Sequence, residues 1–140
     1  MTGLLLFNNP PKLEYVDYII SIIVGPELIT GSTRMKAGTA TKMVLNMITT
    51  TLMVKLNKTY GNLMVDLKAS NEKLWDRGTR IIQHLTNLSY DDSLKLLQSA
   101  DGEVKTAIVM EKLKVGLGDP RELLSEKRGS LRKVLAGNSD

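Results

Sequence analysis

Two short apolar runs constrain this chain more than anything else in it: GLLLF at residues 3–7 and YIISIIV at residues 18–24. Both are rich in branched side chains, and neither alternates apolar with polar residues. A strand with one wet face alternates. A continuous run instead fits a strand buried on both faces, as in a parallel sheet with helices on either side. Turn residues close each run, Asn8-Asn9-Pro10-Pro11 after the first and Gly25-Pro26 after the second. Two strands do not make a stable open sheet, and so bare an edge is expected to find partners. The expectation is a chain that starts in the middle of an α/β domain.

From about Ser32 the pattern turns helical. Ala40, Met43, Val44, Met47, Ile48, Thr51 and Leu52 recur three and four apart, on one helical face, and the helix is expected to run to Leu56. Asn57, Lys58 and the Tyr60-Gly61 pair interrupt it. A second helix is expected over Leu63 to Leu85, with Leu67, Leu74, Ile81, Ile82 and Leu85 buried. Gly78 weakens that helix by ~1 kcal/mol relative to alanine. The final third reads as three short helices. Ser89 and Asp92 form a capping arrangement before Leu94 and Leu97; a second helix runs from about Glu103 to Lys114 after the turn Asp101-Gly102. The third starts at Asp119-Pro120, and Ser130 caps a last turn through Leu131, Val134 and Leu135. A soft boundary near residues 86–89 divides the chain into 1–88 and 89–140.

Composition excludes several functions. With 140 residues and 42% apolar side chains the chain can build a core, but one Trp, one Phe and four Tyr leave most packing to Leu, Ile, Val and Met. The absence of cysteine excludes disulfides and thiolate metal sites and fits a reducing cytoplasm. The only histidine, His84, builds no metal cluster or histidine-based triad by itself and reads as a solvated or capping residue. The net charge is +4 and the pI about 9.3, but the bases are interleaved with acids and lack an aromatic–basic pattern, so nucleic acid is not the expected partner. Tyr18 to Val24 is far too short to span a bilayer, and MTGLLLFNNPPK has no basic region or cleavage site of a signal peptide. Cytoplasmic location, with no membrane partner, is the expectation.

The candidate site is GPELITGSTRMKAGTATK at residues 25–42. The first turn of a helix carries unpaired N–H groups and the positive end of the macrodipole, and so attracts phosphate. Here that turn is supplied with hydroxyls on Thr30, Ser32 and Thr33, a permissive Gly31, the cations Arg34 and Lys36, and one carboxylate, Glu27. A phosphorylated, polyhydroxylated ligand suits such a loop. The plainer reading, a strand-to-helix turn whose small residues only cap the helix, fits the same residues.

The stretch GPELITGSTRMKAGTATKMVLNM at 25–47 resembles the signature of the N-acetylmuramic acid 6-phosphate etherase family, shared in looser form by the glucokinase regulatory protein. Both belong to the sugar-isomerase (SIS) group of phosphosugar-binding proteins. KTYGNLMVDLKASNEKLWDRGTRII at 58–82 and DGEVKTAIVMEKL at 101–113 continue the likeness, and 58–82 favours the etherase. The resemblance implies the C-terminal half of a doubly wound SIS domain, long helices, and a small helical tail similar to ubiquitin-associated three-helix modules. It implies an enzyme that cleaves the lactyl ether of N-acetylmuramic acid 6-phosphate without metal or organic cofactor. It places Glu27, Ser32, Thr33 and Arg34 beside the phosphosugar pocket, with Lys36 less securely placed. Both catalytic glutamates of the family lie upstream of the matching segment, so the resemblance assigns no catalytic residue here.

Other features read as structure. Thr49-Thr50-Thr51 in mid-helix fits back-bonding to preceding carbonyls. The methionines at 35, 43, 47, 53 and 64 fit core or dimer contact. Glu72, Asp76 and Arg80 form a charged helical face, and Trp75 fits a tertiary or subunit anchor. A half-sheet with Met- and Leu-rich helices leaves apolar area that a small monomer can hardly cover, so a homodimer or higher oligomer is expected. Two other readings stay open: a non-catalytic regulatory module that binds sugar phosphate, and a helical interaction module without ligand.

Overall fold

The computed structural model describes residues 1–10 and 13–137, and Pro11 of the expected first turn lies outside them. The described chain is mixed α/β and mostly helical, with six helices and two two-stranded sheets. It forms two compact units, one over Met1–Thr51 and one from Leu52 onward. No helix among the described residues is long and apolar enough to cross a membrane.

The first unit opens with β1 (Gly3–Leu6) and β2 (Tyr18–Ser21), which pair in parallel with Gly3 opposite Tyr18 and Leu6 opposite Ser21. The two apolar runs are therefore strands in one parallel sheet, as their composition requires. Their burial differs from expectation. Leu4 to Leu6 are half-buried, but all four residues of β2 are exposed. A parallel strand is dry only when helices cover both faces. The helix that follows, α1 (Lys36–Lys55), leaves most of its larger apolar side chains open.

Helix α1 begins four residues after Ser32, because the intervening GSTRM stretch forms turns. Its apolar residues are not confined to the expected face. Met43, Met47, Ile48 and Leu52 are exposed, and so are Leu45 and Met53 on the other sides. A helix apolar all round is one that is covered on more than one side. None of the methionines at 35, 43, 47, 53 and 64 lies in the core, which corrects the core half of that expectation. The Thr49 hydroxyl does donate back to the Leu45 carbonyl, at 2.8 Å.

Past the end of α1 the second unit forms a hairpin, whose second strand takes the start of the helix expected from Leu63. Strands β3 (Thr59–Tyr60) and β4 (Leu63–Met64) pair antiparallel across the two-residue loop Gly61-Asn62. Gly61 has φ 59°, the left-handed value that tight hairpin loops demand. The chain then stays extended, and the backbone at 67–69 pairs with 102–104: Ala69 N–H donates to Gly102 O at 2.8 Å and Val104 N–H to Leu67 O at 3.1 Å. A β-carbon on Gly102 would stand 3.1 Å from the Ala69 carbonyl oxygen, tight enough to push the paired backbone away by a few tenths of an ångström, and the φ of 77° favours glycine as well.

Helix α2 (Glu72–Thr86) therefore begins at an Asn71 cap, whose side chain accepts the Leu74 N–H at 3.0 Å, and not at Leu63. The last four helices are α3 (Tyr90–Ser99), α4 (Val104–Leu113), α5 (Gly118–Glu126) and α6 (Leu131–Ala136). Ser89 caps α3 by accepting the Asp92 N–H at 3.1 Å, and Ser130 caps α6 by accepting the Lys133 N–H at 3.3 Å. Ile82, Leu97, Val104, Ile108 and Leu131 form the centre of one hydrophobic core, with Leu67, Leu74, Trp75 and Leu85 half-buried against it. Packing of α2 on α3 and α4 carries that core straight through residues 86–89, where the sequence placed its boundary.

Gly78 lies where α2 meets α3 and α4. A β-carbon there would stand 2.9 Å from Leu97 Cδ2 and 2.9 Å from Val104 Cγ2, both on fully buried side chains. Gly78→Ala is expected to lower stability by about 1–3 kcal/mol through overpacking, more than the ~1 kcal/mol that helix propensity would return. Urea unfolding measures this, and a more stable variant would contradict the packing. The Ser93 hydroxyl is buried in α3 and has no hydrogen-bond partner among the described residues. Since an unsatisfied buried hydroxyl costs ~1–3 kcal/mol, Ser93→Ala should unfold at the same or higher urea concentration.

Candidate functional site

The loop between β2 and α1 holds Glu27, Ser32, Thr33 and Arg34, and Lys36, the fifth site residue expected from the sequence, opens α1. Gly31, with φ 82°, turns the chain, and the Ser32 N–H donates to Ile29 O at 3.0 Å. The Gly38 N–H donates to Thr33 O at 2.9 Å, which brings the turn onto the start of α1. Thr33, Arg34 and Lys36 are exposed, while Glu27 and Ser32 are half-buried. The hydroxyls of Thr30, Ser32 and Thr33 face no hydrogen-bond partner among the described residues, and Arg34 makes no ion pair there.

Two of the five residues are engaged elsewhere. The Glu27 carboxylate accepts the Lys36 N–H at 3.1 Å and the Ala37 N–H at 3.0 Å. Lys36 Nζ donates to the Pro26 carbonyl at 2.8 Å. The helix N-terminus, read from the sequence as an attraction for phosphate, thus already carries an anion from its own chain. Ala37 beneath it is the one buried residue of the described first unit.

The Ala37 N–H, followed by the Lys36 N–H, holds the Glu27 carboxyl below the usual glutamate range; the Lys36 charge adds a smaller pull against slight desolvation. A carboxyl depressed in the folded state contributes stability that is fully present above its unfolded value and lost as pH falls through its folded value. The cap should therefore survive mild acid. Carboxyl-carbon NMR should give a Glu27 midpoint below that of an ordinary glutamate, and a midpoint at or above it would show that the two N–H bonds are not formed in solution.

The second unit has a groove of about 470 Å³, lined in part by Leu67, Lys68, Glu103, Lys105, Arg121 and Leu124. Its charges are satisfied internally. Lys105 is buried, with its ammonium 2.7 Å from Asp66 Oδ1 and 2.8 Å from the Gly129 carbonyl, and Asp66 also takes Lys58. Burial pushes the Asp66 carboxyl up, but Lys105 and Lys58 together outweigh it and hold it below the usual range. Arg121 donates to Glu103 at 2.9 Å and to Asp101 at 2.8 Å; the first of these bonds lowers the Glu103 carboxyl most. Sequence reading missed this network because its members lie up to 71 residues apart in chain order, Lys58 to Gly129, with no shared spacing. Elsewhere Asp76 joins α2 to α3, accepting from Arg80 Nε at 2.9 Å and from the Tyr90 hydroxyl at 3.0 Å. His84 is exposed in the last turn of α2.

Residues 61–114 match the family described as the C-terminal lid domain of glucokinase regulatory protein. Over the longer span, N-acetylmuramic acid 6-phosphate etherase of Bacillus subtilis is 54% identical across 128 residues, 91% of this chain and 42% of the relative. That of Bacillus pumilus is 51% identical over 130 residues, covering 92% of this chain and 43% of the relative. The Deinococcus radiodurans etherase is 48% identical over 132 residues, 93% and 43%. The resemblance read from residues 25–47, 58–82 and 101–113 is borne out: along nine-tenths of its length this chain is similar to part of the N-acetylmuramic acid 6-phosphate etherases. The chain spans about two-fifths of the length of these curated relatives.

Proposed function

We propose that this chain is part of an N-acetylmuramic acid 6-phosphate etherase, to which it contributes one wall of the sugar-phosphate pocket. The observation that carries the reading is the roughly half-identical sequence shared with etherases over nine-tenths of the chain. The loop at 27–36 supports it. Hydroxyls on Ser32 and Thr33 and the Arg34 guanidinium are exposed or half-buried on a turn held in place by its own backbone bonds. Hydroxyl donors and a guanidinium match phosphate oxygens through charge-assisted hydrogen bonds. Glu27 and Lys36 stand at the two ends of the same loop.

The reaction removes the proton at sugar C2, expels lactate from C3 with protonation of the ether oxygen, and adds water to the resulting alkene. It needs a base near C2 and an acid at the ether oxygen, roles for which paired carboxylates suit. By resemblance those glutamates lie upstream of the matching segment. None of the 140 residues is therefore assigned to proton transfer, and their role is to hold and orient the sugar phosphate. In this reading the first unit is the end of an SIS domain, with further strands beside β1 and β2. The ubiquitin-associated likeness of the helices after residue 89 concerns shape alone. The apolar surface around α1 suits a homodimer or higher oligomer, in the cytoplasm.

A regulatory module that binds sugar phosphate without chemistry is the second reading, favoured by the lid-domain match at 61–114. Lactate release from N-acetylmuramic acid 6-phosphate separates the two, assayed with this chain and with a form extended to the full length of its relatives. Release by the long form alone is expected. Release by neither form supports the regulatory reading, and release by the short chain would show that the catalytic groups have been wrongly placed upstream. In the long form, Arg34→Gln should weaken sugar-phosphate binding about tenfold or more, the scale of one charge-assisted hydrogen bond. Unchanged affinity by calorimetry would remove Arg34 from the site.

A further inference from the structure

The β2–α1 loop is closed at its two ends by bonds that run in opposite directions. Glu27 at one end reaches the backbone N–H groups of Lys36 and Ala37, at 3.1 and 3.0 Å. Lys36 at the other end reaches back to the carbonyl of Pro26, at 2.8 Å. Each side chain thus binds main chain beside the other, and residues 28–35 form a closed lobe between them. Backbone bonds from Ser32 to Ile29 and from Gly38 to Thr33 fix the lobe from within.

Resting on the sugar-phosphate reading above, we infer that Glu27 and Lys36 are positioning residues: their reciprocal clasp shapes the loop, and ligand contact falls to Ser32, Thr33 and Arg34 inside it. Charge placement argues for this division. A carboxylate on the first-turn N–H groups occupies the spot to which a helix N-terminus would draw a phosphate, and it repels a second anion there. The Lys36 ammonium is anchored on a carbonyl and faces Gly25, whose added β-carbon would lie 3.9 Å from Nζ. Arg34 and the hydroxyls of Ser32 and Thr33 lie between the two anchors and make no side-chain hydrogen bond with the described residues. Geometry thus separates the five residues into two that hold and three that are available.

Amide hydrogen exchange and N-acetylglucosamine 6-phosphate titration, both on the form extended to the full length of the relatives, test the division. Glu27→Ala should speed exchange at Lys36 and Ala37 about tenfold or more without ligand and weaken the sugar phosphate about tenfold. Glu27→Gln, which keeps one acceptor oxygen, should recover part of both. Arg34→Gln should weaken binding and leave exchange at Ala37 unchanged. In the wild-type chain the Glu27 carboxyl-carbon resonance should stay put as ligand saturates. Exchange that is unchanged in Glu27→Ala overturns the clasp, and a Glu27 resonance that moves with saturation overturns its separation from the ligand. Should the wild-type long form bind no sugar phosphate, the functional reading fails and takes the ligand-contact half of the proposal with it. Exchange at Lys36 and Ala37 then sustains or overturns the clasp on its own.

Discussion

The distance at which α2 can lie against α3 and α4 governs the second unit, and Gly78 sets it. With no β-carbon at that point, Leu97 and Val104 press onto the α2 backbone, and Ile82 and Ile108 close the core around them. Burial of such side chains is the dominant favourable term in a domain this small. The same approach fixes where α4 begins. Gly102 lets residues 102–104 pair with 67–69, and that pairing delivers Lys105 to Asp66. A packing choice at one residue thus leads, through a backbone pairing, to the buried charge network.

The first unit is organised differently. Only Ala37 is buried among its described residues, so its order rests on hydrogen bonds: the β1–β2 ladder, the Ser32 and Gly38 turn bonds, and the Glu27 cap. Its apolar surface is large and lies on every side of α1. Hydrogen bonds can fix the shape of a loop, but their net contribution is modest when water competes for the same groups. The unit that carries the candidate site is therefore locally well shaped but little supported by burial.

What the sequence disclosed and what it hid follow from the range of each interaction. The two unalternating runs announced a parallel pair, and Ser89, Ser130 and the Asp101-Gly102 turn marked helix ends through contacts a few residues long. The hairpin at 59–64 was misread because Leu63, Leu67 and Leu74 also suit a helical face. The cue was Gly61-Asn62 between Thr59-Tyr60 and Leu63-Met64, a two-residue loop with its glycine at the left-handed position. Gly78 looked like a weakness in a helix, since propensity knows nothing of Leu97 and Val104. At the candidate site the residue types were legible and their division of labour was not. A carboxylate nine residues before a helix start gives no sign in one dimension that it will fold back to cap that helix.

Lys105 has a consequence for how the second unit comes apart. Its ammonium joins Asp66, before α2, to the Gly129 carbonyl, between α5 and α6. Detaching the last two helices would strip a buried cation of one of its two acceptors, and moving the 65–68 segment would strip the other. Neither end can fray alone without costing the buried ammonium one of its two partners. The two ends of the unit are thereby tied into a single cooperative opening, with α5 and α6 guarded against the piecemeal peeling to which terminal helices are prone.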